Sequence, residues 1–141
     1  MAEQKAPNRP PMPRPTRTSA PYWQAVREHR LDLPWCPRCR DWVFYPRPFC
    51  PRCLHPDLEW RTVSGRGTVY TFTVIRRAVS PYYMDKTPYV HALIELEEGP
   101  RLIANLVNCQ PEEVYIGMPV QAVFRDWEEG TLLFFEPRRT G

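Results

Sequence analysis

Four of the five cysteines stand in two identical tetrapeptides, Cys36-Pro37-Arg38-Cys39 and Cys50-Pro51-Arg52-Cys53, with ten residues between the pairs. A Cys-x-x-Cys pair turns two sulfurs to the same side, and two such knuckles bring four thiolates within tetrahedral reach of a single ion. Soft sulfur donors exclude hard cations, and bonds of about 2.3 Å suit zinc. Such a shell is closed and leaves no position for a substrate, so one structural zinc ion is the expected cofactor. Iron in a rubredoxin-type site is the competitor. There a glycine usually follows each pair, whereas Arg40 and Leu54 stand in those places here, and zinc is favoured. Disulfides or redox pairs are the other reading, and close pairs in a reducing compartment favour metal over both.

The remaining candidates are weaker. His55 follows the second pair closely but finds four thiolates already in place, and reads as an ordinary loop histidine. Cys109 has no base nearby in the sequence to make it a nucleophile, and a small apolar role fits it better. No Gly-x-Ser-x-Gly elbow, phosphate-binding glycine loop or His-Glu-x-x-His motif occurs. The paired glutamates at 97–98, 112–113 and 128–129 fall at turns and a helix start, where solvated charge explains them. The sequence therefore nominates no catalytic residue, and the chain is not expected to be an enzyme on its own.

Two aromatic groupings could bind something. Residues 76–88 form a long connection containing Tyr82, Tyr83 and Met84, a candidate partner or acyl-chain surface, unless the loop folds back over its own domain. Arg38, Arg40, Trp42, Tyr45, Arg47, Phe49 and Arg52 interleave cations with rings between and around the cysteines. That mixture could stack on bases or an adenine and pair phosphates, or could be a small core with a wet rim.

Around these groups the sequence divides into elements. Residues 1–18 are rich in proline, carry few large apolar side chains and read as a disordered tail. Ser19 as cap and Pro21 in the first turn open a helix in 19–33, running on through Leu31, with Tyr22, Val26 and His29 on one face. Residues 34–60 are the ribbon. Residues 61–141 show five strand patterns: 61–75, bent at Ser64-Gly65-Arg66-Gly67, with Tyr70, Phe72 and Val74 in phase; 89–96, with Val90, Ala92, Ile94 and Leu96; then strands carrying Leu102, Ala104 and Leu106, next Val120, Ala122 and Phe124, and finally residues 131–136. A helical turn from Pro111 separates the third from the fourth. The fold class is mainly β: an N-terminal helix, a four-cysteine zinc ribbon and a five-stranded barrel laid out like an OB-fold, a layout other small barrels partly share.

The net charge of +3 resides in the tail, where four basic residues face one acid; residues 61–141 hold nine basic and ten acidic residues. A neutral body is a poor footprint for tracking phosphates, so single-stranded nucleic-acid binding, the alternative that ribbons and OB-folds suggest, is disfavoured. No run approaches the roughly 18 apolar residues of a membrane span, nor do the first residues carry a secretory apolar core. A cytoplasmic location is expected.

The order of these parts resembles a known family. The Tyr22-Trp23 helix, the ribbon with Pro46-Arg47-Pro48 before its second pair, SGRGTVYTFTV at 64–74, PYVHALIELEEGP at 88–100 and YIGMPV at 115–120 are similar to the rubredoxin-like ribbon plus OB-fold family, domain of unknown function 35, associated with acyl-CoA metabolism. The resemblance covers residues 22–137. It implies a non-catalytic partner that binds a thiolase-like enzyme and helps form or stabilise its acyl-CoA site, with acyl-CoA or CoA at a shared site. Zinc would sit on Cys36, Cys39, Cys50 and Cys53. Tyr22, Trp23, Arg47, Tyr82, Tyr83 and Met84 are the candidate partner or ligand surface. Arg40 and Leu54 depart from the family's glycines and put the knuckle geometry in question.

Overall fold

The computed structural model describes residues 10–78 and 80–138; the first half of the proline-rich tail lies outside them. Residues 10–16 have no regular structure, yet Pro10 is buried, and Met12 lies beside Gly130. The helix, α1, spans Ala20–Arg27 with Pro21 in its first turn. Ser19 occupies the N-cap position but its hydroxyl does not cap the helix: it accepts the Thr16 N–H, while Thr16 Oγ1 accepts the Ser19 N–H. Ala25 and Val26 are fully buried where α1 packs on the first and last strands.

The helix ends earlier than the sequence pattern suggests. His29 takes a left-handed φ of 59°, and the chain then enters β1, Asp32–Cys36. Leu31 and Leu33, at 2% and 0% exposure, decide this, because two apolar residues spaced by two bury together in a strand and not on a helix. β1 is the centre of a three-stranded sheet, flanked by β2, Asp41–Trp42, and β3, Glu59–Thr62. Residues 61–62, expected in the first barrel strand, thus belong to the ribbon sheet. The expected bend at Gly65, φ +80°, is a full break.

Five strands then close a barrel: β4, Arg66–Ile75; β5, Tyr89–Leu96; β6, Arg101–Leu106; β7, Pro119–Trp127; and β8, Gly130–Pro137. Their order is β4-β5-β6-β8-β7, closed by β7 on β4, and the β6–β8 pairing is parallel. The alternations expected for β5 and β6 hold: Val90, Ala92, Ile94, Leu96, Leu102, Ala104 and Leu106 are all buried. In β4 a bulge between Val69 and Thr71 changes the phase. Val69 points inward before it and Phe72 after it, while Tyr70, expected inside, stands 45% exposed beneath the Arg101 guanidinium at 3.8 Å. Leu31 and Leu33 share the barrel core, with Tyr22, Trp42 and Phe44 packed against it, so helix, ribbon sheet and barrel are one packed unit.

His29 fastens the helix end to the barrel. Its ring stacks on Phe124 at 5.2 Å, and Nε2 meets the Asp126 carboxylate at 2.9 Å. The Thr131 hydroxyl and His29 both hold Asp126 below the ordinary aspartate range. A depressed carboxylate pKa stabilises the fold above the unfolded value, and that contribution disappears as pH falls through the folded one. Unfolding midpoints compared between wild type and Asp126→Asn should therefore differ at neutral pH and converge in acid. A constant difference would refute this.

Candidate metal centre and flanking surfaces

Cys36 and Cys50 are buried, Cys39 and Cys53 half-buried, and all four sulfurs lie within 4.8 Å of one another. Tetrahedral bonds of about 2.3 Å place sulfurs about 3.8 Å apart. Cys36 and Cys53 stand 3.6 Å apart, and Cys39 and Cys50 3.8 Å. The two knuckles repeat one turn: the Arg40 N–H donates to the Cys36 carbonyl and the Leu54 N–H to the Cys50 carbonyl, each at 2.8 Å. Arg52 of the second knuckle pairs with Asp41 beside the first at 2.8 Å.

The four sulfurs form a donor set that could hold a metal ion. Backbone N–H groups of Cys53 and Arg52 draw the Cys50 thiol down to about 7, whereas its neighbours, Cys53 first, push Cys39 up to about 12. Four thiolates this close are stable together only around a positive ion. His55 is not in the cluster; its carbonyl accepts the Cys50 N–H at 3.0 Å, and its buried Nδ1 has no partner.

Arg40 and Leu54 adopt φ of 53° and 63°, the left-handed conformation a glycine would supply, so the knuckles keep their shape at a backbone cost of about 1–2 kcal/mol each. Leu54 is 67% exposed, so its side chain contributes little packing in return. Metal-bound Leu54→Val should melt below Leu54→Gly by about 1–2 kcal/mol in thermal unfolding. Equal stabilities would show that φ does not control this turn.

The six surface candidates do not form one patch. Tyr22 is packed between Trp23 and Phe44, and burial, then Tyr45, raises its phenol to about 12. Trp23 faces Met12, Pro13 and Gly130. Arg47 is exposed on the ribbon. Tyr82 and Tyr83 form a 3-10 turn with Pro81 and line a cavity at the barrel end, while Met84 is 64% exposed. The loop thus folds back over the barrel. Arg125 and Trp127, read from sequence only as strand and turn, line the same cavity. Their signal was faint: a cation and a ring flanking a hairpin.

Ribbon, closed five-stranded barrel and four-sulfur centre together define a ribbon plus OB-fold protein. Residues 23–59 match the family profile described as ChsH2, rubredoxin-like zinc ribbon domain, and residues 60–125 that of the ChsH2 C-terminal OB-fold domain. A DUF35 domain-containing scaffold protein of Methanocaldococcus jannaschii is 43% identical over 79% of this chain and 83% of its own length. A probable enoyl-CoA hydratase alpha subunit of Thermomonospora curvata is 38% identical over 96% of this chain, which spans 42% of that relative. A solved chain of an Ltp2–ChsH2(DUF35) aldolase superposes with a TM-score of 0.82 at 35% identity, covering 89% of this chain and 98% of the other. The chain belongs to the ChsH2/DUF35 family. No helix among the described residues is long and apolar enough to cross a membrane.

Proposed function

We propose that this chain is a non-catalytic accessory subunit that binds a thiolase-like enzyme and helps form or stabilise its acyl-CoA site. The observation that carries the reading is the likeness, at 35% identity over nearly the whole of that chain, to a component of an Ltp2–ChsH2(DUF35) aldolase. The metal centre supports it. Its four sulfur ligands leave no open position, so the ion orders a ribbon and activates no substrate. We assign that ion as zinc, which has no redox chemistry to be tuned by the protein and suits a purely structural task in a reducing cytoplasm. Co-expression with thiolase-fold proteins of the same genome, followed by size exclusion, should give a co-eluting complex containing one zinc per copy of this chain. Absence of any co-eluting partner would refute the subunit reading; a red, iron-containing protein would refute the zinc assignment.

A further inference from the structure

We propose that the cavity at the β4–β5 loop end of the barrel binds a small aromatic anion, a one- or two-ring carboxylic acid. It has a volume of about 280 Å³, the space of roughly nine waters at about 30 Å³ each and at the small end of ligand pockets. That excludes a nucleotide cofactor as a whole and suits a single ring system.

Its wall is a continuous arc of rings. Tyr89 meets Tyr83 at 5.0 Å, Tyr83 meets Tyr82 edge-on at 4.9 Å, Tyr82 approaches Trp127 at 6.5 Å, and Trp127 approaches Phe134 at 6.2 Å. Ring faces and edges at these spacings accept a further flat ring. Two cations lie against the arc: Lys86 Nζ is 3.9 Å from the ring centroid of Tyr82, at its middle, and the Arg125 guanidinium 5.4 Å from that of Phe134, at one end.

The cations are balanced from outside the cavity, Lys86 by Asp85 and Arg125 at longer range by Glu136. No aspartate or glutamate lines the cavity itself. Lys86 is engaged at the rim by Asp85 at 3.1 Å, but Arg125 has no carboxylate within salt-bridge distance among the described residues, and its side-chain bond is a long one, 3.4 Å, to Asn108 Oδ1. An arginine with open donors beside an aromatic wall is suited to a planar carboxylate. Asn105 and Tyr83 also line the cavity. Asn105 Oδ1 takes the His91 Nδ1 contact at 2.8 Å, which turns its amide nitrogen toward the Tyr83 oxygen. Tyr83, which lines the cavity, thus keeps its own phenolic O–H as a donor.

This site stands apart from the subunit reading: it needs no partner chain, and its test uses the metal-loaded full chain alone. Naphthalene-1-carboxylate, its neutral carboxamide, inorganic phosphate and a single-stranded oligothymidylate would each be titrated while nitrogen–proton correlation spectra are recorded. The expected result is a saturable shift of the Trp127 indole N–H with the carboxylate. Affinity should fall about tenfold or more with the carboxamide and in Arg125→Gln, the loss of one charge-assisted hydrogen bond. Lys86→Gln should weaken binding less. Unchanged spectra outside the cavity would show that the variants remain folded. Absence of a saturable shift at millimolar carboxylate, equal affinity for the carboxamide, undiminished binding by Arg125→Gln, or shifts with phosphate or oligothymidylate in place of the carboxylate would each overturn the proposal.

Discussion

Stripping the metal, or replacing Cys50 by serine, should unfold the ribbon from residue 36 to residue 58 and leave the barrel standing. Apart from Trp42 and Phe44, which pack against the barrel core, the ribbon has little else to hold it. Its own core is Cys36, Val43 and Cys50, with Cys39, Cys53 and Leu58 packed around them, so four of its six members are the ligands themselves. β2 is two residues long, and the chain from Val43 to Leu58 is turns and irregular segments. Structural zinc in such peptides supplies about 10–16 kcal/mol of apparent folding free energy, far more than those few apolar contacts could replace. The barrel has its own core from Val69 to Phe135, which Leu31, just ahead of β1, and Leu33 within it join. Hydrogen exchange should therefore separate the two. In chelator-treated protein, the amides of Arg40, Leu54 and Cys50, bonded within the knuckles, should lose protection, while those of β5 and β6 keep theirs. Retention of knuckle protection without metal would refute this account. Simultaneous loss in β5 would mean that ribbon and barrel unfold as one.

What the sequence made legible follows from which forces are local. The cysteine spacing points to a metal cluster, because four thiolates at that spacing have few other uses, and the four sulfurs do gather. β5 and β6 could be read from alternation alone, since both bury one face against the same core. The errors arose where a distant contact overrides the local pattern. Helix propensity carried the reading past His29, but Leu31 and Leu33 gain more by joining the barrel core than by extending α1. The bulge at Tyr70 moved that ring to the surface, where Arg101 of β6 covers it. Arg40 and Leu54 were legible only as departures from glycine; that they nevertheless take the left-handed turn goes with the N–H bonds they donate to the Cys36 and Cys50 carbonyls. The cavity was half legible. Tyr82 and Tyr83 drew notice as a cluster, whereas Arg125 and Trp127 join them only because β7 and β8 close the barrel beside β6.

Gly67→Ala should be the most damaging single-methyl change in the barrel. Gly67 is buried in β4, where that strand crosses from pairing with β5 to closing on β7; it faces Leu96 on one side and Val120 on the other. A Cβ built there would lie 2.4 Å from the Glu95 carbonyl oxygen and 3.1 Å from Leu96 Cα. Both atoms are backbone, so no side-chain rotation relieves the overlap, and the strands must separate. Separation would strain the Glu97 N–H bond to the Arg66 carbonyl at 3.0 Å and the Val69 N–H bond to the Met118 carbonyl at 3.0 Å, the bonds on either side of the closure. Overpacking of a tight site costs about 1–3 kcal/mol and sometimes more, and a methyl driven against unyielding backbone belongs at the upper end, about 3 kcal/mol. Gly99→Ala provides the contrast: no atom lies within 4 Å of its added Cβ, but its φ of +118° imposes a backbone penalty without a clash. Denaturant midpoints at constant m-value should place Gly67→Ala well below Gly99→Ala. If the two fall equally, backbone conformation and not close approach sets the requirement for glycine in Ser64-Gly65-Arg66-Gly67, and the barrel closes with more room than the Glu95 contact implies.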